Sequence, residues 1–488
     1  MSPRALLNFI DGAFVAARSG ETLPSFAPST GQVHATAARS RAADVQDAVA
    51  AARRAFAGPW RRWGIEERAK LLDKIADGVQ SRMDEFAALE SLDQGKPVKL
   101  ARGMDINRVV HNFRFFAGLL RQQDTPAFTA DGALNYAHRA PLGVVGLITP
   151  WNLPLYLLTW KLAPALAMGN TMVVKPSELT PATATLLMEV LRDCGLPPGV
   201  VNLVHGYGAE AGQALVEHPE VCAISFTGGT VTGRRLAAVA APMLKKLSLE
   251  LGGKNATVVF ADADFEHAVA TATRAAFTNQ GEICLCGSRV LVERSIYEPF
   301  LAALTERAGA LQVGDPADPT TDIGALVSEA HREKVESYLS LAREEGGVVL
   351  CGGERPALPA PFSGGYFLSP AVVAGLSSRC RVATEEIFGP VVTVHPFDTD
   401  EEALQMANGV GYGLSASVFT QSLDRAHRFS RNLEVGMVWV NTWMNRDLRT
   451  PFGGVKESGV GREGGRWSME FYSEYRNICL RLDEGSRA

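Results

Sequence analysis

The sequence predicts an α/β protein that combines a doubly wound nucleotide-binding domain with a second α/β domain. Short apolar strands alternate with helical patterns through the middle third of the chain, which is typical of a parallel sheet. The chain has 488 residues, too many for one ordinary domain. Its 46% hydrophobic and 21% charged residues are typical of packed globular proteins.

The order of the elements supports this fold class. Strands are predicted at 143–148, 171–175, 200–204, 223–226 and 246–251, with helices at 155–167, 182–194 and 231–241. The usual GxGxxG motif is absent, because Gly206-Tyr207-Gly208 lacks the third glycine. The segment 226–230 could instead present backbone amides to a phosphate at a helix N-terminus, although a simple strand-to-helix turn explains it equally well.

A second series of strands and helices begins after Gly252-Gly253, where we place the domain boundary. The nucleotide-binding domain is predicted for residues 1–121 and 139–251, and the second α/β domain for 252–440. A polar, hairpin-like stretch at 122–138 and the C-terminal segment 470–488, with a strand predicted at 477–482, fall outside both domains and are expected to serve oligomerisation. Unpaired strand edges invite pairing between chains, so we expect a homodimer or homotetramer.

Composition argues against several classes of partner. A net charge of -5 without a basic stripe does not favour nucleic-acid binding. The longest apolar stretch, 144–168, is interrupted by three prolines and Lys161, so no membrane segment is predicted. Seven scattered cysteines and the lack of a signal-peptide core favour the reducing cytoplasm. The nine histidines form no HExxH or HxH motif, and no metal is expected.

The chain contains no GxSxG elbow and no Walker A loop, which leaves cysteine as the candidate nucleophile. Cys284 follows Gly281, a residue that permits close backbone approach. On this segment alone, a buried structural cysteine is the better interpretation.

Several ordered motifs resemble the aldehyde dehydrogenase family along nearly the whole chain. They are Pro150-Trp151-Asn152-Leu153-Pro154, Lys175-Pro176-Ser177-Glu178, Leu249-Glu250-Leu251-Gly252-Gly253-Lys254, Glu385-Glu386-Ile387-Phe388-Gly389-Pro390 and Pro451-Phe452-Gly453-Gly454, together with the segment around Cys284. The resemblance implies an aldehyde dehydrogenase-like fold with a Rossmann-type NAD domain, a catalytic domain and a small β oligomerisation arm.

The resemblance also implies the catalytic roles. Cys284 matches the nucleophile that adds to the aldehyde carbonyl. Asn152 matches the residue whose side-chain amide joins the Cys284 backbone N–H in stabilising the oxyanion. Glu250 matches the general base that activates water for thioester hydrolysis, and its presence argues against transfer to coenzyme A.

NAD is the implied cofactor. Lys175 and Glu178 match residues at the adenosine ribose, and a carboxylate there favours NAD over NADP. Glu386 and Phe388 match residues at the nicotinamide, while Gly229 replaces the usual serine and removes one hydroxyl donor. The complete predicted cofactor set is Ile148, Thr149, Pro150, Trp151, Lys175, Ser177, Glu178, Gly208, Phe226, Thr227, Gly228, Gly229, Thr232, Leu251, Glu386 and Phe388.

The substrate is predicted from two arginines. Arg108 and Arg446 fall where many relatives have apolar residues, and a guanidinium in a partly desolvated tunnel suits a carboxylate. Trp160 and Phe452 are predicted to line the same tunnel. The alternative is that an arginine pairs with a neighbour such as Asp447.

Cys284-Leu285-Cys286 and the C-terminal segments most resemble the family members that act on 2-hydroxymuconic or 2-aminomuconic 6-semialdehyde. Three alternatives stay open at this point. The enzyme could oxidise another aldehyde, or the chain could be a thioester-forming hydrolase without a redox cofactor. It could also be a catalytically silent structural protein. The last should have lost one of Cys284, Glu250 or Asn152.

Overall fold

The computed structural model describes residues 3–482, and the predicted α/β class is confirmed in this range. The strands are β1 (Arg4–Leu6), β2 (Asn8–Ile10), β3 (Ala13–Val15), β4 (Thr22–Ala27), β5 (Gln32–Ala38), β6 (Ala127–Ala130), β7 (Ala133–Pro141), β8 (Val144–Ile148), β9 (Thr171–Lys175), β10 (Val201–Leu203), β11 (Val221–Thr227), β12 (Lys246–Glu250), β13 (Ala256–Val259), β14 (Arg289–Glu293), β15 (Val348–Cys351), β16 (Ala371–Ala374), β17 (Val391–Phe397), β18 (Tyr412–Gly413), β19 (Ser415–Phe419), β20 (Met437–Val440), β21 (Val455–Lys456), β22 (Gly459–Val460) and β23 (Ser473–Arg481).

The α-helices are α1 (Ala42–Ala57), α2 (Ile65–Ser81), α3 (Met83–Gln94), α4 (Val98–Leu100), α5 (Asn107–Arg121), α6 (Pro154–Ala167), α7 (Ala182–Asp193), α8 (Gln213–Glu217), α9 (Thr230–Ala240), α10 (Phe265–Phe277), α11 (Tyr297–Gly309), α12 (Glu329–Glu344), α13 (Arg381–Thr384), α14 (Asp400–Asn408), α15 (Leu423–Asn432) and α16 (Gly465–Phe471). Among the described residues, none of these helices combines the length and apolar character needed to cross a lipid bilayer.

The first sheet has eight strands in the order β22-β12-β11-β8-β9-β10-β2-β3 within residues 3–482. Its five central strands are parallel and nearly continuous in buried residues, as sheets covered on both faces require. The chain leaves β8 toward β9 on one side and returns to β11 on the other. Ligands of such sheets bind at the carboxyl ends of the strands at this switch point.

The second sheet has seven strands in the order β15-β16-β17-β14-β13-β19-β20, counted over the same residues. It is parallel apart from the edge strand β15. The link that contains Gly252-Gly253 joins β12 of the first sheet to β13 of the second. The proposed division into domains stays a prediction, and β22 adds an unforeseen return of the chain to the first sheet.

A third, antiparallel sheet is formed by β6, β7 and β23. β7 extends to Pro141, beyond the predicted segment end at 138, because β23 pairs with it over nine consecutive positions. β23 begins at Ser473, earlier than the predicted strand start at 477. Residues 483–488 of the predicted 470–488 element lie outside the described residues.

Helix α6 connects the loop at the end of β8 to the apolar core. Every residue from Pro154 to Ala167 is buried, and the helix packs against α2 and α5 in one apolar cluster. Pro154 occupies the first turn, where a missing backbone N–H costs nothing. The loop before α6 is thereby held at the carboxyl end of β8.

Candidate active site

A cofactor cleft opens at the carboxyl ends of β8, β9 and β11. It consists of two adjoining cavities of about 300 and 270 Å³ that share Pro150, Trp151 and residues 227–229. All sixteen predicted cofactor residues line one or both cavities. The sequence did not single out further lining residues: Ala209, Gly212, Gln213, Arg235, Leu236, Gly252, His331 and Lys334.

The chemistry of this cleft fits a dinucleotide. Gly229 is the N-cap of α9, and a Cβ added there would meet no atom of residues 3–482 within 4 Å, so these residues leave space above the positive helix end. The hydroxyl oxygens of Thr149 and Thr227 are buried without a hydrogen-bond partner among residues 3–482. Lys175 forms a 3.3 Å ion pair with Glu178. The paired Glu178 carboxylate can still accept hydrogen bonds from ribose hydroxyls.

The loop that carries Cys284 has an unusual backbone. Asn279, Gln280 and Gly281 have φ values of 55°, 56° and 72°, three consecutive residues in the left-handed region. Such conformations persist where surrounding contacts enforce them. A Cβ at Gly281 would lie 2.2 Å from the carbonyl oxygen of Gly389, so only glycine fits this close approach.

The Cys284 carbonyl oxygen is held by the Asn255 side chain, which donates to it at 2.7 Å. Cys284 itself is half-buried beside the cofactor cleft. Burial raises the pKa of its thiol to about 12, and the negative charges of Glu250 and Glu386 act in the same direction. The resting thiol is therefore protonated at neutral pH.

Asn152 lies in the loop between β8 and α6 and is almost fully buried. Its side-chain Nδ2 donates to the carbonyl oxygen of Glu282 at 2.9 Å, two residues before Cys284. The backbone carbonyl oxygen of Asn152 accepts hydrogen bonds from Lys96 Nζ at 3.0 Å and from Asn279 Nδ2 at 3.1 Å. The amide of Asn152 and the segment leading to Cys284 are thus held together.

Glu250 is the last residue of β12, at a strand end rather than in a loop. It is 4% exposed, and neither carboxylate oxygen has a hydrogen-bond partner within the described range. Burial and the negative charge of Glu463 raise the pKa of Glu250 well above the ordinary value, although nearby cations including Lys161 oppose this. A carboxyl group with a raised pKa is a stronger base when it ionises.

Lys161 and Glu463 form a buried ion pair that the sequence interpretation missed. Lys161 Nζ donates to Glu463 Oε1 at 2.6 Å, and Ser225 donates to the same oxygen at 3.2 Å. The lysine in an otherwise apolar helix could have indicated this pair, because fully buried lysines almost always have a charged partner. This pair helps to set the electrostatic environment of Glu250.

Glu386 lies on the loop after α13 and accepts a 2.8 Å hydrogen bond from the Gly253 backbone N–H. Two residues later, the Phe388 ring meets Trp151 edge-on, with ring centroids 5.3 Å apart. The Phe388 carbonyl oxygen accepts from His331 Nε2 at 2.7 Å. These contacts join the second sheet to the end of the cleft that contains Cys284.

Arg446 packs among aromatic side chains. Its guanidinium carbon lies 4.0 Å from the centroid of the Phe452 ring and 5.2 Å from that of Trp160, and Nη1 donates to the Tyr156 hydroxyl at 2.8 Å. Arg108, near the start of α5, stacks on the ring of Tyr156 at 5.6 Å.

The alternative that Asp447 neutralises Arg446 is wrong. Asp447 pairs with Arg449 at 2.5 Å, and neither Arg108 nor Arg446 forms an ion pair with any carboxylate that the structure describes. Tyr156 and Phe452 belong to the same apolar cluster as Cys284. Two guanidinium groups that form no ion pair with a carboxylate of residues 3–482 therefore border the apolar surroundings of the candidate nucleophile.

The two parallel sheets, the dinucleotide cleft, the half-buried Cys284 and the buried Asn152 and Glu250 are typical of an oxidoreductase that acts on aldehydes. The sequence pattern of the aldehyde dehydrogenase family matches residues 14–478, and the chain belongs to this family.

Characterised relatives are similar over nearly their full length. The chain is 50% identical to a 2-hydroxymuconic semialdehyde dehydrogenase of Pseudomonas sp. (strain CF600), over 98% of this chain and all of that relative. It is 49% identical to a 2-aminomuconic semialdehyde dehydrogenase of Danio rerio, over 98% of both chains. An NAD+ complex of an aldehyde dehydrogenase from Bacillus cereus superposes with a TM-score of 0.95 at 39% identity, covering 98% of this chain and 97% of that one.

Proposed function

We propose that this enzyme uses NAD to oxidise a semialdehyde that carries a carboxylate remote from its aldehyde group. The expected substrate is 2-hydroxymuconic or 2-aminomuconic 6-semialdehyde, and the product is the dicarboxylate. The observation that carries the proposal is the pair Arg108 and Arg446, two guanidinium groups without a carboxylate partner among the described residues. A partly buried cation of this kind calls for an anion from the ligand.

Cys284 is the proposed nucleophile. The Cys284 thiol gives up its proton to solvent water, and its sulfur bonds to the aldehyde carbon. The carbonyl π bond opens, which leaves a thiohemiacetal with a negatively charged oxygen. A bound NAD would supply the hydride acceptor that this oxidation requires. The remaining thioester is then hydrolysed by water, and the thiol is regenerated.

Asn152 and Glu250 are the residues proposed to support these steps. The Asn152 amide, fixed by its contacts to the chain before Cys284, is available to donate to the developing oxyanion. The Glu250 carboxylate takes a proton from the attacking water, a role suited to a buried base whose pKa is raised. Lys175 and Glu178 would hold the adenosine ribose, and Glu386 the nicotinamide ribose.

The names of the two relatives support the choice of semialdehyde. A non-redox hydrolase would leave the cleft formed by all sixteen predicted cofactor residues without a use. Oxidation of an unrelated neutral aldehyde would leave the two cations uncompensated. The carboxylated substrate accounts for both features.

The test compares two six-carbon aldehydes that differ in the remote carboxylate, 6-oxohexanoate and hexanal. Replacing Arg446 by Met should lower kcat/KM for 6-oxohexanoate by roughly 10- to 100-fold, since hydrogen bonds to charged groups contribute about 1.5–3 kcal/mol. Hexanal should change little. Arg449→Met is the matched control, because Arg449 is exposed and already paired with Asp447. Equal losses for both aldehydes would contradict the proposal, as would failure of every aldehyde to yield NADH.

We also infer that the sheet of β6, β7 and β23 mediates pairing between copies of the chain. Its outer strands expose Phe128, Tyr475 and Leu480, and exposed sheet edges favour strand addition. Light scattering coupled to size exclusion should give a dimer or tetramer. A Phe128→Lys and Leu480→Lys double variant should shift the population toward monomer, and an unchanged mass would contradict this assignment.

A further inference from the structure

Tyr156 lies between the two arginines. It is on the first turns of α6, is 3% exposed and packs in the apolar cluster that also contains Phe452 and Cys284. Arg446 donates to its hydroxyl oxygen at 2.8 Å, and the guanidinium of Arg108 covers the face of its ring at 5.6 Å. The sequence interpretation gave this tyrosine no role.

The phenolic hydrogen of Tyr156 has no acceptor among the residues that the structure describes. Arginine has only donors, so neither Arg446 nor Arg108 can accept this hydrogen. The oxygen receives its hydrogen bond from Arg446, which directs the phenolic hydrogen away from that guanidinium. A buried hydroxyl donor without an acceptor is costly in an apolar environment.

We propose that the Tyr156 hydroxyl donates directly to the remote carboxylate of the substrate. This inference rests on the proposed function. A carboxylate is an acceptor with about four lone-pair sites, enough for both guanidinium groups and the phenol together. The two arginines attract the anion by charge. The phenol is a third, neutral donor, and its directional hydrogen bond adds selectivity for a planar anion.

Tyr156→Phe removes the hydroxyl and keeps the ring beneath Arg108. It should lower kcat/KM for 6-oxohexanoate by roughly 10- to 100-fold, mainly through KM, and leave hexanal within about twofold. Tyr366→Phe is the matched control, because Tyr366 is also a buried tyrosine whose ring lies beneath an arginine, Arg332 at 5.7 Å. The control should change neither aldehyde.

A double-mutant cycle separates direct donation from simple positioning of Arg446. In an Arg446→Met background, Tyr156→Phe should still lower kcat/KM for 6-oxohexanoate, since the phenol itself contacts the carboxylate. No further loss in that background would overturn the inference and assign Tyr156 only to holding Arg446.

The same measurements distinguish this inference from the proposed function. Loss of carboxylate preference in Arg446→Met but not in Tyr156→Phe would overturn the role of Tyr156 and leave the substrate proposal standing. No loss of preference in either variant would overturn both. Thermal unfolding of each variant checks that the changes in KM do not come from a damaged fold.

Discussion

Replacing Glu250 by Gln should slow turnover by about 10²- to 10⁴-fold and at the same time stabilise the folded protein. The change keeps the size of the side chain but removes its ionisable group. Neither Glu250 oxygen has a hydrogen-bond partner among residues 3–482, so the carboxylate contributes no such bond to the fold. Its burial instead makes ionisation unfavourable, which raises its pKa.

The loss of activity should lie in thioester hydrolysis. A positioned general base typically contributes about 10²- to 10⁴-fold, so the steady-state rate should fall by that amount. The steps before hydrolysis do not need this base in our scheme. Rapid mixing with NAD and aldehyde should therefore show a burst of NADH, close to one per Cys284, followed by slow turnover.

The stability change follows from the direction of the pKa shift. A carboxyl group with a raised pKa binds its proton more tightly in the folded state, so it lowers stability as pH rises from the unfolded pKa through the folded pKa. Each pKa unit corresponds to about 1.4 kcal/mol. The Tm of Glu250→Gln should thus exceed that of the parent enzyme at about pH 8, by roughly 1 °C per kcal/mol for a chain of this length, and equal it near pH 4.

Two results would contradict these assignments for Glu250. A variant with full steady-state turnover would show that another group activates the water. A Tm difference independent of pH between about 4 and 8 would show that the buried carboxylate is not the source of the stability change. Glu344→Gln, an exposed glutamate on α12, is the control and should alter neither quantity.

Three further variants test the remaining site assignments. Asn152→Ala should lower kcat by about 10²- to 10³-fold with little change in KM, measured by saturation kinetics; an unchanged kcat would exclude its oxyanion role. Gly229→Ser should lower KM for NAD a few-fold, because the added side chain enters open space at the start of α9 and supplies a hydroxyl donor; weaker NAD binding by calorimetry would contradict this. Glu178→Gln should raise KM for NAD and lower that for NADP, since the repulsion of a 2′-phosphate is removed; an unchanged NAD to NADP ratio would count against the ribose contact.

Several features of the fold could be predicted because local sequence determines them. The strand at 171–175 and the helices at 155–167 and 182–194 agree with β9, α6 and α7 to within one residue at each end. Their apolar patterns, prolines and glycines act over a few residues. The C-terminal strand was placed too late, since pairing with β7 extends it to Ser473 and no local pattern reports a distant partner.

The candidate site divides in the same way. The motifs of the chain predicted Cys284, Asn152, Glu250 and the cofactor cleft, because they preserve both the residue types and their order. The ion-pair partner of Asp447 could not be predicted from the sequence. The choice between Arg446 and Arg449 depends on which side chain turns toward Phe452 and Trp160.

The family, the candidate nucleophile with its supporting residues and the resemblance to semialdehyde dehydrogenases are all encoded in motifs of the chain. The electrostatics of the site come from side chains that folding brings together. The raised pKa of Glu250 depends on Glu463, which is more than two hundred positions away, and the setting of Arg446 depends on Tyr156 in α6. The physical reason is that burial and Coulomb interactions depend on distance in space, which separation along the chain does not report.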